Sequence, residues 1–379
     1  MKRNIYFDCA ATVKPFPEVL KTFDTVTMDY FANASANHAL GFEASDKLEK
    51  ARAQIAHYFS LKPEEVIFTS GASEGNNLAI KGVAYHNKNW ATRIITTKAE
   101  HPSVTAVFQE LEKEGFDVVY LDYDKEGKLN LEELEKALRE KKTSLVSVMA
   151  VNNEVGYIFP LKEVYELTKK YHALLHVDAT QAVGKEPISS LYYDLLTFSG
   201  HKVGGLKGSG ALLKKNGVQL DPQILGGSQE FHLRAGTTPL GLDCSLATAL
   251  RISLQTLNTR RKQATLINER LRKGLREIKE VIITSPLSAS PFILGFALTE
   301  HKGSVIAEAL SNDGIYVSTK SACSAREAGY STVLANAGYS LDIASNGIRL
   351  SFSGEETLEE AEEFLSDLKA ILASVKVRS

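Results

Sequence analysis

Cysteine is scarce in this sequence, and long apolar runs are missing from it. The three cysteines, Cys9, Cys244 and Cys323, lie far apart among 379 residues and form no C-x-x-C pair. This spacing argues against a disulfide framework or a cysteine-based zinc site and is typical of a reducing compartment. No apolar run approaches the ~20 residues that a membrane-spanning helix needs. The N-terminal "MKRNIYFDCA" holds too short an apolar stretch for a signal peptide. We therefore expect a cytoplasmic protein.

An excess of charge of one sign is also missing. The formal net charge is −2, so the electrostatic balance favours neither nucleic acid nor a membrane as a direct partner. Hydrophobic residues make up 44% of the chain and charged residues 24%, which is typical of globular proteins with large cores. A chain of 379 residues predicts two or three domains.

Short strand-like runs alternate with amphipathic helical patterns over the first part of the chain. Because most of these runs are apolar without alternation, we expect strands that are buried on both faces of a mostly parallel sheet. In "NLEELEKALREK", Asn130 and Glu133 form a capping-box-like helix start. The predicted strands are "VIFTS" (66–70), "RIITT" (93–97), "VVYLD" (118–122), "SLVSVMAV" (144–151), "ALLHVD" (173–178), "LLTFS" (195–199) and "ALLKK" (211–215).

The pattern changes from about residue 240. A long helical stretch from "LGLDCSL" to "GLREI" is a plausible bridge to a second domain. Further strand and helix patterns follow, from "VIITS" to "TLEEAEEFLSDLKAILASV". These predict a smaller α/β module whose sheet is antiparallel or mixed.

Polar side chains gather where the strands of the first module end. A glycine turn and Ser73 precede a helix whose free N–H groups could bind a phosphate, although a simple N-cap explains them equally well. His101, Asn153, Asp178 with Gln181, and His201 with Lys202 follow later strands. Ligands of such sheets bind beyond the carboxyl ends of the strands. Five polar strand ends in one sheet therefore predict a site.

These residue types are the ones that pyridoxal 5'-phosphate needs. Its pyridine nitrogen stays protonated beside a buried carboxylate such as Asp178. A lysine must form a Schiff base with it, and Lys202 fits because Gly200, Gly204 and Gly205 would let the ring approach. A metal site made of His101, His176, Asp178 and His201 is conceivable but has no recognised ligand spacing, so we predict none.

The motifs, in order and spacing, resemble those of cysteine desulfurases of the NifS/IscS kind, which are class V, fold-type I pyridoxal phosphate enzymes. The resemblance is carried by "YFDCAAT", "FTSGASEGNN", "EHPSV", "VNNEVG", "HVDATQAVGK", "SGHKVGGLKGSG", "GGSQEFHLRAGT", "SACSA" and "IRLSFS". It implies an α/β fold of the pyridoxal phosphate-dependent transferase type I, with a mostly parallel seven-stranded sheet covered by helices and a smaller α/β domain. We expect the large cofactor-binding domain over 15–258. The small domain, with the Cys323 loop, would combine 1–14 and 259–379.

The resemblance also implies roles for individual residues. Lys202 would carry the cofactor, Asp178 would pair with its ring nitrogen and His101 would stack on the ring and shuttle protons. Arg349 would bind the substrate carboxylate, together with Asn33 and Asn153. Thr237 would reach the phosphate from the second subunit of a homodimer. The remaining contacts to the cofactor would come from Ala72, Ser73, Gln181, Ser199 and His201, with Asn153 shared between cofactor and substrate.

Cys323 would be the sulfur-accepting nucleophile. The resemblance implies an L-cysteine desulfurase that makes L-alanine and a persulfide on Cys323, for transfer to an acceptor protein such as a scaffold for iron–sulfur clusters or a tRNA-thiolation enzyme. Departures such as Phe231 and His232, where the family commonly has a small residue, line the expected substrate side. Two alternatives stay open: a class V enzyme with another substrate (a selenocysteine lyase, a C–S lyase or an aminotransferase), and a non-enzymatic scaffold, which retention of Lys202 and Asp178 disfavours.

Overall fold

Strands and helices alternate along the chain, as the sequence pattern predicts. The computed structural model describes residues 4–319 and 329–375. Its strands are β1 (Ile5–Tyr6), β2 (Val66–Thr69), β3 (Arg93–Thr97), β4 (Asp117–Leu121), β5 (Thr143–Met149), β6 (Leu174–Asp178), β7 (Leu195–Ser199), β8 (Gly210–Lys214), β9 (Val281–Ile283), β10 (Ile293–Leu298), β11 (Ile315–Tyr316) and β12 (Gly347–Ser351). Its helices are α1 (Pro17–Asp29), α2 (Ala39–Tyr58), α3 (Ala72–Asn87), α4 (Pro102–Lys113), α5 (Leu131–Glu140), α6 (Leu161–Lys170), α7 (Leu240–Gln255), α8 (Leu257–Arg276), α9 (Gly303–Asn312), α10 (Thr332–Asn336), α11 (Leu341–Ser345) and α12 (Leu358–Ser374).

A seven-stranded sheet forms the centre of the first unit, in the order β2-β8-β7-β6-β5-β3-β4. All neighbouring strands are parallel except at β8, which is antiparallel to both β2 and β7. Every residue of β2, β5 and β7 is buried, which explains the unbroken apolar runs in the sequence. The predicted mostly parallel sheet is confirmed, and its strands are the seven that the sequence indicates.

The start of α5 shows which side chains satisfy the free backbone N–H groups of a helix. The start of α5 is capped by Asn130, whose side chain accepts from Glu133 N at 3.1 Å. The predicted N-cap is confirmed, but the reciprocal bond of a capping box does not form, because Asn130 N donates to Asp122 O at 3.0 Å. Glu133 instead accepts from Asp122 N at 3.1 Å. Its carboxylate therefore ties the helix to the end of β4.

The second unit contains the C-terminal strands and the first strand of the chain. β9, β10 and β12 form an antiparallel sheet, while β1 pairs in parallel with β11. Phe7 packs edge-on against Phe352, with ring centroids 5.5 Å apart. The predicted long helical stretch is two helices, α7 and α8, separated at Thr256. The domain boundaries at 14/15 and 258/259 remain predictions.

The parallel strands place their carboxyl ends at one edge of the large sheet. β2, β3, β5, β6 and β7 all run toward this edge, so the loops that follow them gather there. In the described part of the chain, no helix combines the length and the apolar character needed to span a bilayer.

Candidate functional site

A cavity of about 270 Å³ lies at this edge of the sheet, between the strand ends, the N-terminal segment and β12. Ten of the predicted site residues line it, although they come from separate stretches of sequence. They are Ala72, Ser73, His101, Asn153, Asp178, Gln181, Ser199, His201, Lys202 and Arg349. Seven of these residues come from the strand-end argument, whereas Ala72, Ser199 and Arg349 come from the family resemblance; the structure brings all ten together.

Lys202 is held by the N-terminal segment. Its Nζ donates to the carbonyl oxygen of Ala10 and, at 2.7 Å, to that of Ala11. The neighbouring glycines do not line the cavity, contrary to the expectation that they admit the cofactor ring. Gly204 has φ +78°, and a Cβ there would lie 2.2 Å from the Phe16 ring, so this glycine serves close packing of the turn.

Asp178 stands at the last position of β6, with both carboxylate oxygens occupied. Asn76 donates to its Oδ2 at 2.9 Å, and the backbone N–H of Thr180 donates to its Oδ1 at 3.0 Å. Asp178 is 4% exposed. The carboxylate is thus a fixed acceptor in the cavity wall, as a partner of a ring nitrogen must be.

His101 caps α4 with its own ring. Its Nδ1 accepts from Ser103 N at 3.1 Å, which leaves the Nε2 edge for the cavity. Burial lowers the pKa of His101, and the positive charge of Lys202 lowers it further, against the opposing effect of Asp178. The ring is therefore neutral at pH 7 and suits stacking on a flat heteroaromatic group.

Gln181 is oriented by a lysine that the sequence argument missed. Lys185 Nζ donates to Gln181 Oε1 at 2.7 Å, and Gln181 Nε2 donates to Ala10 O at 2.9 Å. Lys185 is buried, and burial lowers its pKa to about 7. Lys185 thus holds the amide oxygen of Gln181, while the amide nitrogen faces Ala10 O.

The amino end of α3 also lines the cavity, through Ala72 and Ser73. Gly71, at φ +150°, makes the turn into the helix, and Ala72 N donates to Ser199 Oγ at 2.7 Å. Burial, and then the charge of Lys202, lowers the pKa of His201 to about 4. His201 is thus neutral at pH 7. It would contact a phosphate by hydrogen bonding rather than by charge.

Arg349 enters the cavity from β12. Its Nη1 donates to Asn153 O at 2.8 Å and its Nη2 donates to Asp8 Oδ1 at 2.6 Å. Its Nε is buried and has no hydrogen-bond partner among the described residues. These two hydrogen bonds use two of its five N–H groups, so the guanidinium group keeps donors for a ligand.

Three predicted site residues do not line the cavity or lie outside the described residues. Asn33 is exposed in the turn between α1 and α2, where its Oδ1 accepts from Ser35 N at 2.9 Å. Thr237 is exposed in the segment before α7. Cys323 lies outside the described residues. The roles predicted for these three residues remain predictions.

Phe231 and His232, which the sequence places on the substrate side, do not line this cavity either. The Phe231 ring lies instead against the guanidinium group of Arg52, whose carbon is 5.0 Å from the ring centroid. Within one chain, these two departures from the family pattern therefore leave the cavity wall unchanged.

No group of three or more histidine, cysteine, aspartate or glutamate side chains in the described ranges is arranged to hold a metal ion. His176, one member of the conceivable metal set, is fully buried within β6. It contacts Ser147 Oγ at 2.8 Å and Thr197 Oγ1 at 3.3 Å.

Similarity to known proteins covers nearly the whole chain. The family model described as "Aminotransferase class-V" matches residues 5–364. A NifS/IcsS protein homolog from Lactobacillus delbrueckii subsp. bulgaricus is 40% identical over 96% of this chain and 95% of its own length. Cysteine desulfurase IscS from Pectobacterium atrosepticum is 38% identical, over 97% of this chain and 92% of its own.

Comparison with solved structures also shows similarity over nearly the whole chain. A structure titled "NIFS-LIKE PROTEIN" superposes with a TM-score of 0.92 and 36% identity, covering 98% of this chain and 100% of the other. The fold is therefore that of the fold-type I enzymes that the motifs indicate. Sequence and structure together establish that this chain belongs to the class V aminotransferase family, among its NifS/IscS-like members.

Proposed function

We propose that this chain is an L-cysteine desulfurase, which uses pyridoxal 5'-phosphate to convert L-cysteine to L-alanine and places the sulfur on Cys323. The observation that carries the proposal is the single cavity that joins Lys202, Asp178, His101 and Arg349. These four residues offer an amine, a buried carboxylate, a neutral ring and a carboxylate-binding cation. The relatives named NifS and IscS support the same reaction.

The cavity fits the cofactor in its donor set. Asp178 supplies an acceptor for a protonated ring nitrogen, Lys202 supplies the amine, and the start of α3 with Ser73 supplies an anion site. Thr180 Oγ1 is buried and has no partner among the described residues, although Thr180 lines the cavity. An unsatisfied buried hydroxyl there is expected if a ligand completes its hydrogen bonding.

Substrate binding and proton transfer follow from the same side chains. Arg349 binds the substrate carboxylate through N–H groups that Asp8 and Asn153 leave available. When bound, pyridoxal 5'-phosphate supplies an electron sink for the substrate α-carbon. Lys202 takes the α-proton, and the fixed carboxylate of Asp178 keeps the ring nitrogen protonated.

Cys323 is the nucleophile of the sulfur-transfer step in this proposal. Its thiolate attacks the substrate sulfur, an S–S bond forms, and the C–S bond breaks. The electron pair of the broken bond stays with the carbon fragment, which takes up a proton and leaves as L-alanine. Cys323 ends as a persulfide, so one cysteine and one enzyme thiol yield one alanine and one enzyme persulfide.

The protein acts as a homodimer in this proposal. Large apolar side chains are exposed from α1, through the turn that follows it, to the start of α2, with Met28 at 74% and Phe31 at 76% exposure. Exposed apolar surface of this kind is typical of an interface. Asn33 lies in the same stretch. We infer that this face contacts the second subunit and that Thr237 contributes to the partner's phosphate site.

The persulfide would pass to an acceptor protein for iron–sulfur cluster assembly or tRNA thiolation, in the cytoplasm. Cys9 and Cys244 are free thiols, which fits a reducing compartment.

The deciding experiment supplies the purified protein and cofactor with L-cysteine and dithiothreitol and quantifies alanine and sulfide together. We expect the two products in equal amounts. Lys202→Ala should lower the rate by at least about a hundredfold, since positioned proton transfer contributes that much or more. Cys323→Ala should abolish sulfide release. Lys207→Ala is the matched control, because Lys207 is exposed in the loop that follows Lys202.

Different outcomes point to different errors. If the protein binds the cofactor but forms no alanine, L-cysteine is not its substrate, and selenocysteine and other amino acids should be tested next. Full activity of Cys323→Ala would contradict the persulfide step alone.

A further inference from the structure

Asn76 does not line the cavity itself, but it contacts two residues that do, Asp178 and Ser103. It lies in the second turn of α3 and is fully buried. One hydrogen of its amide nitrogen points to Asp178 Oδ2 at 2.9 Å, and the other points to Ser103 Oγ at 2.9 Å. A single amide therefore supports both the ring-nitrogen acceptor and the residue that contacts His101.

The direction of these hydrogen bonds is fixed by chemistry. A carboxylate only accepts, so the Asn76 amide must turn its NH₂ group toward Asp178 and its oxygen the other way. Thr197 stands on that other side, and its hydroxyl donates to Asn76 Oδ1. The Thr197 hydroxyl has one hydrogen, and this contact uses it.

His176 completes the support behind Thr197. Its Nε2 lies 3.3 Å from Thr197 Oγ1, which can only accept there because its hydrogen is already used. Burial lowers the pKa of His176 to about 4, so the ring is neutral and carries its one hydrogen on Nε2. Its Nδ1 then accepts from Ser147 Oγ at 2.8 Å. The four buried groups have one consistent set of donors and acceptors.

The other arm of Asn76 leads to His101. Ser103 Oγ accepts from Asn76, so its own hydrogen is available for His101 Nδ1, 2.9 Å away. Ser103 N also donates to this Nδ1. A nitrogen that accepts two hydrogen bonds carries no proton, so neutral His101 holds its proton on Nε2. His101 thus presents a donor to the cavity.

We propose that Asn76 is a positioning residue for the cofactor, which fixes Asp178 and the His101 ring together, and that the Thr197 hydroxyl stabilises the amide orientation that Asp178 requires. This inference rests on the proposed function, since it assumes that the cavity takes pyridoxal 5'-phosphate. Neither Asn76 nor Thr197 lines the cavity, so their effect on the cofactor passes through the residues that do.

The test compares two substitutions of one buried residue. Thr197→Val keeps the shape and removes the hydroxyl, whereas Thr197→Ser keeps the hydroxyl and removes the methyl group. That methyl carbon, Cγ2, would lie 2.9 Å from a Cβ at Gly75, so it packs closely against α3. A packing role and a hydrogen-bonding role therefore predict opposite orders of damage.

Cofactor-free proteins are titrated with pyridoxal 5'-phosphate, and the dissociation constant is read from the absorbance band of the bound cofactor. We expect Thr197→Val to weaken binding about threefold to tenfold, the equivalent of one net hydrogen bond. Thr197→Ser should bind as the wild type does. Melting temperatures of the cofactor-free proteins show whether each variant is folded.

A second pair keeps the inference testable if Thr197→Val does not fold. Asn76→Ala should weaken cofactor binding about tenfold or more, since Asp178 and Ser103 both lose a donor. Asn87→Ala, at the end of the same helix, should leave it unchanged.

Weaker binding by Thr197→Ser than by Thr197→Val, or equal binding by Asn76→Ala and the wild type, would overturn the inference and leave the proposed function standing. A wild type that does not bind the cofactor would overturn both.

Discussion

Arg349 is held by Asp8, at 2.6 Å, across 341 positions of sequence. The pair joins β12 to the segment that follows β1, and Asn153 O takes a second donor of the same guanidinium group. The planar fork of arginine can donate in several directions at once, which a lysine ammonium group on a flexible stem cannot do with the same geometry. The expected substrate-binding cation is therefore oriented before any substrate arrives.

Replacing Arg349 by lysine should weaken substrate binding more than it slows turnover. An ammonium group at this position cannot satisfy Asn153 O, Asp8 and a carboxylate in the same fixed arrangement. We expect KM for L-cysteine to rise by about tenfold to a hundredfold, with a smaller change in kcat. Steady-state kinetics of Arg349→Lys check this, with Arg270→Lys on the surface of α8 as control. An unchanged KM would show that another group binds the carboxylate.

Adding one methyl group at Gly210 should impair cofactor binding from outside the cavity. A Cβ at this position of β8 would lie 2.6 Å from Gly71 Cα and 2.7 Å from Phe198 O. Both are backbone atoms, so the turn before α3 must move. We expect Gly210→Ala to lose about 1–3 kcal/mol of stability and to bind the cofactor more weakly.

Gly217→Ala is the control for this change. A Cβ at Gly217 would meet no atom within 4 Å, but the residue has φ +84°. The substitution should therefore cost stability through the backbone alone and leave cofactor affinity unchanged. Equal cofactor affinity in both variants, measured by titration, would contradict the prediction for Gly210.

Glu230 should be a stability determinant of the segment before α7. Its carboxylate accepts hydrogen bonds from Arg52 Nη1 at 2.7 Å, Arg52 Nη2 at 2.8 Å and Phe68 N at 2.8 Å. Glu230, Phe231 and His232 all have positive φ, of 47°, 57° and 65°, which is strained for residues other than glycine. The buried ion pair offsets this strain.

Glu230→Gln leaves the Arg52 charge without its buried partner, and we expect a loss of about 3–5 kcal/mol. Glu49→Gln removes the half-exposed partner of the same arginine and should cost less than about 1 kcal/mol. Melting temperatures of the two variants give the comparison. Similar losses would mean that burial of the Arg52–Glu230 pair is unimportant.

Lys185 should make stability depend on pH in a recognisable way. Its pKa is about 7 in the folded protein because of burial, well below the value of an exposed lysine in the unfolded chain. Between these two values the unfolded chain binds more protons, so stability rises as pH rises. The cost of burying the charge is greatest below pH ~7 and disappears toward pH ~10.

Lys185→Met removes this group. We expect the melting temperature of the variant, relative to the wild type, to fall steadily from pH ~7 to ~10, by the equivalent of a few kcal/mol. Lys207→Met should show a constant difference over the same range. A constant difference for Lys185→Met would mean that Lys185 keeps an ordinary pKa when buried.

The sequence predicts the seven strands of the large sheet because most of them are apolar runs without alternation, as strands buried on both faces of a sheet are. It predicts Asp178 and Lys202 because each stands at or just after the end of such a strand. It does not predict Asp8, Asn76 or Lys185, whose partners come from other elements. "YFDCAAT" matched the family and was a signal for Asp8, but only the fold brings it to Arg349. At α5 the predicted N-cap formed but the reciprocal bond of a capping box did not, since the partner of Glu133 is Asp122 in the preceding loop.

The pairing of β1 with β11 has a consequence for the order in which the protein matures. The carbonyl groups of Ala10 and Ala11 hold Lys202, and the strand before them is anchored on Ile315 and Tyr316, far along the chain. A chain emerging from the ribosome can fold the large sheet first. The wall around Lys202 closes only after β11 has been synthesised, so a chain truncated before Ile315 has no finished site.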